Sequence, residues 1–292
     1  MYERLDSCPL CNSGQLQNKL ITIDHAVSGE SFAIVECEQC KLNFTNPRPS
    51  EDDIHSFYDS ESYISHSNHT NSIYDLAYKT VRYFTLKSKL SLINGLNTKK
   101  TILDYGCGTG HFLMKCKDNN WQISGVEPNP KARNLAAQNT NESIHSNILE
   151  LQEKKQFHII TLWHVLEHIH DLQGTIKLLK GRLKKKGYLV IALPNNQSWD
   201  ALHYKEYWAG YDVPRHLYHF NPKSFKMLTD SNKLRIVRTI PQKMDAFYIS
   251  LLSEKYKNGK NMPQKAIING IKSNNSASKS NLYSSLIYII QR

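Results

Sequence analysis

The chain has 292 residues, 40% of them hydrophobic, which is enough for one large domain or a domain with a small module. Its formal charge of +11 raises nucleic acid or an anionic metabolite as a partner, yet the basic residues are dispersed and no RNA-binding motif with interleaved aromatics appears. No apolar run reaches membrane-spanning length, and Met1–Ser7 has neither a basic start nor an apolar stretch behind it, so the expectation is a soluble, cytoplasmic protein without a membrane partner.

Two knuckles open the chain, Cys8-x-x-Cys11 and Cys37-x-x-Cys40, with 25 residues between them. Four thiolates in that spacing are a zinc-ribbon signal, because each knuckle supplies two ligands to a closed tetrahedral site. Disulfides compete for the same residues, and a cytoplasmic setting disfavours them. Residues 1–48 are therefore expected to form a zinc module around a β-hairpin, Leu20–Ile23 with Ser31–Val35. Thr45-Asn-Pro-Arg-Pro-Ser50 reads as a stiff exit. A helical lead-in over 49–98 follows, with Ser50 as a cap, an aromatic loop around Tyr58 and Tyr63, and a long amphipathic run from Tyr74 to Ile93.

The densest signal is Thr101-Ile-Leu-Asp-Tyr-Gly-Cys-Gly-Thr-Gly-His. A short apolar run feeds Asp104, glycines alternate at Gly106, Gly108 and Gly110, and a helical run follows. Strand, glycine turn and helix bring a backbone close to a nucleotide-like ligand, since glycine lacks the Cβ that blocks that approach. A second strand ends at Glu127, 23 positions after Asp104, where a carboxylate can accept both ribose hydroxyls. The spacing is not the dinucleotide fingerprint, which has two residues before its third glycine. Cys107 and Cys116 read as small packing residues.

From 101 onward, strands alternate with helices: 101–105, 111–119, 122–127, a helix opened by Pro130, 143–146, Phe157–Trp163, Leu172–Leu183 and Tyr188–Leu193. Alternation of this kind implies a parallel, doubly wound sheet. The basic cluster Lys180–Gly187 falls where a helix ends, which suits the helix dipole. Asn221 caps a helix through Asp230, a strand covers 233–240, and Ser285–Ile290 closes the sheet. Residues 245–281 read as an insertion or lid, a helix followed by a polar loop from Ser273.

Asp104 with Gly106-x-Gly108-x-Gly110 resembles motif I of the class I S-adenosylmethionine (SAM)-dependent methyltransferases. Residues 50–292 look like the group that includes ubiquinone-biosynthesis-like O-methyltransferases. The resemblance implies an α/β, doubly wound, mostly parallel seven-stranded Rossmann-like sheet over 99–292 behind the zinc ribbon. It implies SAM as cofactor beside a structural zinc. Asp104, Gly106, Gly108 and Gly110 would then line the methionine part of the donor, and Glu127 would hold the ribose with Asn129 and Pro130 alongside. Asn147 stands where an acid usually meets the adenine amino group, a departure that weakens that contact. Leu162, Trp163 and His164 would pass beneath the sulfonium, and Tyr63 joins the cofactor set.

Two segments could serve the acceptor. His164-Val-Leu-Glu167-His168, if helical, puts His164, Glu167 and His168 on one face, as a metal site or as hydrogen-bonded packing. The other is Tyr207-Trp-Ala-Gly-Tyr-Asp-Val-Pro-Arg-His-Leu-Tyr-His-Phe220, whose Tyr211, Arg215 and His216 would face an acceptor, His216 as base and Arg215 steering an anion. The competing reading makes this loop a structural crossover with Arg215 paired to a carboxylate. Catalytic candidates are therefore His216, His164 and His168. Three functions compete: methylation of oxygen or carbon on a small sugar- or quinone-like metabolite, RNA or protein methylation with the zinc module as dock, and silent donor binding. The first is favoured, with the acceptor's identity and the oligomeric state open.

Overall fold

The computed structural model describes residues 1–58, 73–96 and 99–292, the side chains of 73–82 excepted. Five strands open the chain: β1 (Tyr2–Glu3), β2 (Leu16–Ile23), β3 (Ser31–Cys37), β4 (Asn43–Thr45) and β5 (Arg48–Pro49). Helix α1 (Ile73–Asn94) matches the long amphipathic run, whereas Ser50 opens only a single 3-10 turn at Ile54–Phe57. Then come β6 (Thr101–Tyr105), α2 (His111–Lys117), β7 (Gln122–Val126), α3 (Pro130–Thr140), β8 (Ile144–His145), β9 (Phe157–Trp163), α4 (Leu172–Arg182) and β10 (Leu183–Pro194). The chain closes with α5 (Trp199–Tyr204), β11 (Tyr218–His219), α6 (Pro222–Ser231), β12 (Arg235–Pro241), α7 (Asp245–Asn258), α8 (Pro263–Ser280) and β13 (Ser285–Gln291).

The main sheet has seven strands in the order β12-β13-β10-β9-β6-β7-β8, and β6 pairs in parallel with both β7 and β9. The expected mixed α/β fold with a mostly parallel sheet is what forms. From β6 the chain first runs outward through β7 and β8, then returns to the other side of β6 as β9. Strand order reverses there, and open α/β sheets bind ligands at the carboxyl ends of strands beside such a reversal. Strands β6 and β9 are near-continuous apolar runs, with Ile102, Leu103, Ile159, Ile160 and Leu162 fully buried, as strands covered on both faces must be.

Two compact units divide the chain. One takes the described residues of Met1–Ile64 with Leu166–Thr175 and Ala192–Tyr288; the other takes those of Ser65–Val165, Ile176–Ile191 and Ile289–Arg292. The first unit contains a four-stranded antiparallel sheet in the order β11-β4-β3-β2. Its hairpin belongs to the cysteine module, but its edge strand β11 comes from far along the chain, pairing Tyr218 with Phe44 and His219 with Asn43. Asp200, fully buried, accepts from Trp208 Nε1 (2.8 Å), Ser273 Oγ (2.7 Å) and Ser284 Oγ (2.7 Å), so one satisfied carboxylate fixes three segments.

In the second unit, α4 ends at Arg182, whose guanidinium donates to the carbonyls of Glu153 (2.8 Å) and Leu151 (3.4 Å). The lysine-rich stretch is thus a helix end running into β10. One sequence expectation gives way: the polar stretch from Ser273 is helical, as part of α8. Ser273 and Ala277 are buried in the first unit, and that packing outweighs the low helix propensity of a serine- and asparagine-rich run.

Candidate donor and acceptor sites

At the carboxyl end of β6, the Gly106 and Cys107 amides both donate to the Val126 carbonyl (2.8 and 3.0 Å), which ties the turn to the end of β7. Gly106 (φ +75) has no room for a side chain: a Cβ would lie 2.6 Å from Val165 Cγ2. At Gly108 (φ +54) a Cβ would meet nothing within 4 Å, so the backbone there faces open space. Glu127 reaches into this turn. Its Oε2 accepts from the Gly108 amide (2.8 Å) and its Oε1 from the Asn129 amide (3.0 Å), while burial pushes its carboxyl above the usual range.

Asp104 is buried and accepts from Thr161 Oγ1 at 2.6 Å. Burial pushes its pKa up to about 7, against the pull of the Thr161 hydroxyl and the Lys89 ammonium. Lys89, from α1, has its Nζ 4.4 Å from the centre of the Trp163 ring, and Phe112 meets the same indole edge-on. Sequence reasoning missed Lys89, since one lysine on an amphipathic helix carries no signal. The remaining cofactor candidates have local tasks. Asn129 caps α3, accepting from the Lys131 and Ala132 amides, with Pro130 in the first turn. Asn147 caps a 3-10 turn by accepting from Leu149 N–H. Leu162 is wholly core. Tyr63 lies outside the described residues.

His164 does not join a helical face with Glu167 and His168. It sits at φ +57, in the left-handed region directly after β9, and the 3-10 turn begins only at Leu166. The first unit instead gathers Glu167, His168 and His216, whose ligand-type atoms all lie within 4.8 Å of one another. His216 Nδ1 is 2.9 Å from the Gly210 carbonyl, which can only accept, so in the neutral ring Nδ1 carries the proton and Nε2 the lone pair. His168 Nδ1 stands 3.0 Å from the Arg215 carbonyl and 2.9 Å from the Tyr58 hydroxyl, which fixes the same tautomer. Burial lowers the His168 pKa to about 4, so it is neutral near pH 7. Asp212 Oδ2 lies 4.0 Å from His216 Nε2.

The Arg215 guanidinium is buried and donates to Asp24 Oδ1 (2.9 Å), both Asp212 oxygens and the Phe57 carbonyl (3.0 Å). This is the carboxylate-paired arrangement rather than a cation held out to a substrate. The cysteine module positions His216 from the other side. Thr45 Oγ1 donates to the His216 carbonyl (2.8 Å), the Thr45 amide to the Leu217 carbonyl (3.0 Å), and the Leu217 amide to the Glu167 carbonyl (2.8 Å).

The four cysteine sulfurs fit a tetrahedral metal. Cys8 and Cys40 Sγ are 3.5 Å apart, as are Cys11 and Cys37 Sγ, and all four lie within 4.8 Å. Zinc–sulfur bonds of about 2.3 Å require sulfurs about 3.8 Å apart. Both knuckles fold alike: Asn12 N–H closes on the Cys8 carbonyl and Lys41 N–H on the Cys37 carbonyl (2.9 Å each), with Asn12 and Lys41 both left-handed. The six cysteines are free in this structure.

A parallel sheet reversing at β6, with a glycine turn and two acids at its carboxyl end, is the arrangement of class I SAM-dependent methyltransferases. The chain belongs to the methyltransferase-domain family, which matches residues 77–239, more than half of it. Among curated relatives, the ubiquinone biosynthesis O-methyltransferase of Rickettsia felis is 24% identical over 154 residues, 46% of this chain and 61% of that one. That of Glaesserella parasuis is 32% identical over 115 residues, 35% and 48% of the two chains. The chain thus spans about half to three fifths of the length of these relatives. Two solved structures share the fold. A magnesium protoporphyrin IX methyltransferase from Synechocystis PCC 6803 with bound SAH has a TM-score of 0.54 at 12% identity, covering 82% of this chain and 98% of that one. A SAM-dependent methyltransferase from Archaeoglobus fulgidus has a TM-score of 0.51 at 18% identity, covering 76% and 100%.

Proposed function

We propose that the protein transfers the methyl group of SAM to oxygen or carbon of a small-molecule acceptor, a sugar- or quinone-like metabolite, and that His216 is the base. The observation that carries this reading is Glu127, held by the Gly108 and Asn129 amides beside the open turn where strand order reverses. Bound there, SAM supplies a methyl on a sulfonium, so displacement needs alignment above all. Glu127 holds the ribose hydroxyls, Asp104 meets the α-ammonium, and Lys89 is the cation for the α-carboxylate. His216 Nε2 takes the acceptor proton, with the Nδ1–H bond to Gly210 fixing which nitrogen is free and Asp212 beside the protonated ring. Cys8, Cys11, Cys37 and Cys40 hold one structural zinc.

Calorimetric titration of the protein with SAM tests the donor half, and absence of binding overturns the reading. Glu127→Ala is expected to weaken donor binding by about 2–3 kcal/mol, roughly thirty- to more than a hundred-fold, because a charge-assisted pair is lost from a partly buried site. Unchanged affinity in that variant removes Glu127 from the ribose. Supply of catechols and sugar hydroxyls as acceptors, read as SAH and methylated product, tests the transfer half.

Donor binding is also expected to depend on pH in one direction. Asp104 titrates at about 7 in the free protein and must be ionised to pair with an ammonium. Below that pH, binding must expel a proton, so affinity rises about tenfold per pH unit and levels off above it. Titration in two buffers of unequal ionisation heat reads the released proton directly. Asp104→Asn should abolish that release, and a flat affinity profile in the parent protein refutes the assignment.

A further inference from the structure

The helical hairpin of α7 and α8 is built inside out. Helix α8 turns Ala266, Asn269, Gly270, Ser273 and Ala277 inward, whereas Ile267, Ile268 and Ile271 are 54%, 51% and 47% exposed. At a helical turn of 100° per residue, the three isoleucines fill a stripe about 100° wide on the solvent side. Helix α7 repeats the pattern, burying Ala246, Ser250 and Ser253 and exposing Tyr248, with Met244 exposed just before it. Small inward residues let the helices approach closely: a Cβ on Gly270 would lie 2.5 Å from the Phe247 ring.

The inversion is fixed by bonds. Ser273 Oγ donates to Asp200 (2.7 Å), and the Asn269 amide donates to Glu254 and to the Tyr204 hydroxyl (2.9 Å each). Rolling α8 to hide its isoleucines would orphan those buried groups, at a cost comparable to the burial gained. An apolar stripe kept outward in this way marks a docking face.

Charge selects the occupant. Between residues 245 and 280 the hairpin carries Lys255, Lys257, Lys260, Lys265, Lys272 and Lys279, all exposed, against two acids. One acid, Glu254, is buried against Tyr204 and Asn269. Lys265, Lys272 and Lys279 recur every seven residues along one flank of the isoleucine stripe. A second copy on this face would bring two lysine sets together, on chains each of net charge +11. We propose that the α7–α8 hairpin docks the protein onto an anionic lipid surface, the isoleucines entering the acyl boundary and the lysines meeting headgroup phosphates. No helix among the described residues is long and apolar enough to cross a membrane. Surface docking requires no crossing, and it departs from the sequence expectation of no membrane partner, which rested on the lack of a spanning run.

The test is co-sedimentation of the full chain with vesicles of phosphatidylcholine alone and of phosphatidylcholine mixed with phosphatidylglycerol, at low and high salt. Binding is expected to the mixed vesicles only and to fall as salt rises. Lysines near such a surface contribute about fivefold each, so replacing Lys265, Lys272 and Lys279 by glutamine should weaken partitioning about a hundredfold. Replacing Ile267, Ile268 and Ile271 by serine should remove partitioning while SAM affinity and thermal unfolding stay unchanged. Absence of vesicle binding by the parent protein overturns the proposal, as does binding that either triple variant retains. A soluble dimer that the isoleucine variant dissociates, without vesicle binding, reassigns the face to a second copy. Binding to polyglutamate but not to vesicles reassigns it to an acidic protein.

Discussion

Replacing His216 by alanine is expected to lower turnover about a hundred- to ten-thousand-fold, the range a positioned proton acceptor contributes. SAM affinity should stay within about twofold, because every donor contact proposed lies on other residues and independent sites add. Alanine also strips the Gly210 carbonyl of its donor and leaves a gap among buried aromatics, so that variant confounds base and scaffold. Asparagine separates them. Its side-chain amide can stand where Nδ1–H stands and keep the bond to Gly210, but it puts nothing basic at Nε2. If His216 is the base, His216→Asn folds as the parent does, binds SAM, and is as slow as the alanine variant. An asparagine variant with parental kcat and parental KM makes His216 a positioning residue. A variant with parental kcat and raised KM makes it a group that binds the acceptor without taking its proton.

Which parts of this protein could be read from its sequence follows from how far apart the partners lie. Asp104, the glycines and Glu127 sit in one strand-turn-helix-strand unit, and their spacing sets their geometry. The cysteine quartet is legible for the same reason, since each knuckle is four residues long. What could not be read is carried by long-range pairs. Thr45 reaches the His216 carbonyl across 171 residues, and Arg215 reaches Asp24 across 191, with no periodic trace of either in the sequence. Arg215 therefore admitted two readings, and its pairing with two carboxylates, Asp24 buried and Asp212 partly exposed, decides for the scaffold. His164 misled because the spacing of i, i+3 and i+4 presumes a helix that its left-handed backbone interrupts. Lys89 acquires its meaning only from the Asp104 and Trp163 side chains beside it. The polar stretch from Ser273 was misread as a loop because Ser273 is a buried helix residue bonded to Asp200, a partner 73 residues away.

Emptying the four-cysteine site of its proposed zinc should abolish turnover while leaving SAM binding intact. The bonds between the module and the His216 segment make this an asymmetric result. Strand β4 begins three residues after Cys40, pairs with β11, and holds His216 and Leu217 through Thr45. Leu217 in turn holds the Glu167 carbonyl. A closed site of four thiolates contributes folding energy outright, about 10–16 kcal/mol in isolated zinc modules, which is comparable to the net stability of a whole domain. Without metal, four cysteines crowded within 4.8 Å have nothing to hold them, and the hairpin should loosen. The glycine turn, Asp104 and Glu127 belong to the other unit and use none of these bonds. Elemental analysis of the freshly purified protein is expected to give about one zinc per chain, and Cys40→Ser to lower that occupancy sharply. Chelation strong enough to empty the site should lower the unfolding temperature and eliminate methyl transfer, with SAM affinity by calorimetry near the parental value. Retained turnover in the zinc-free protein breaks the link between module and base. Loss of SAM binding along with turnover shows instead that the two units fold as one.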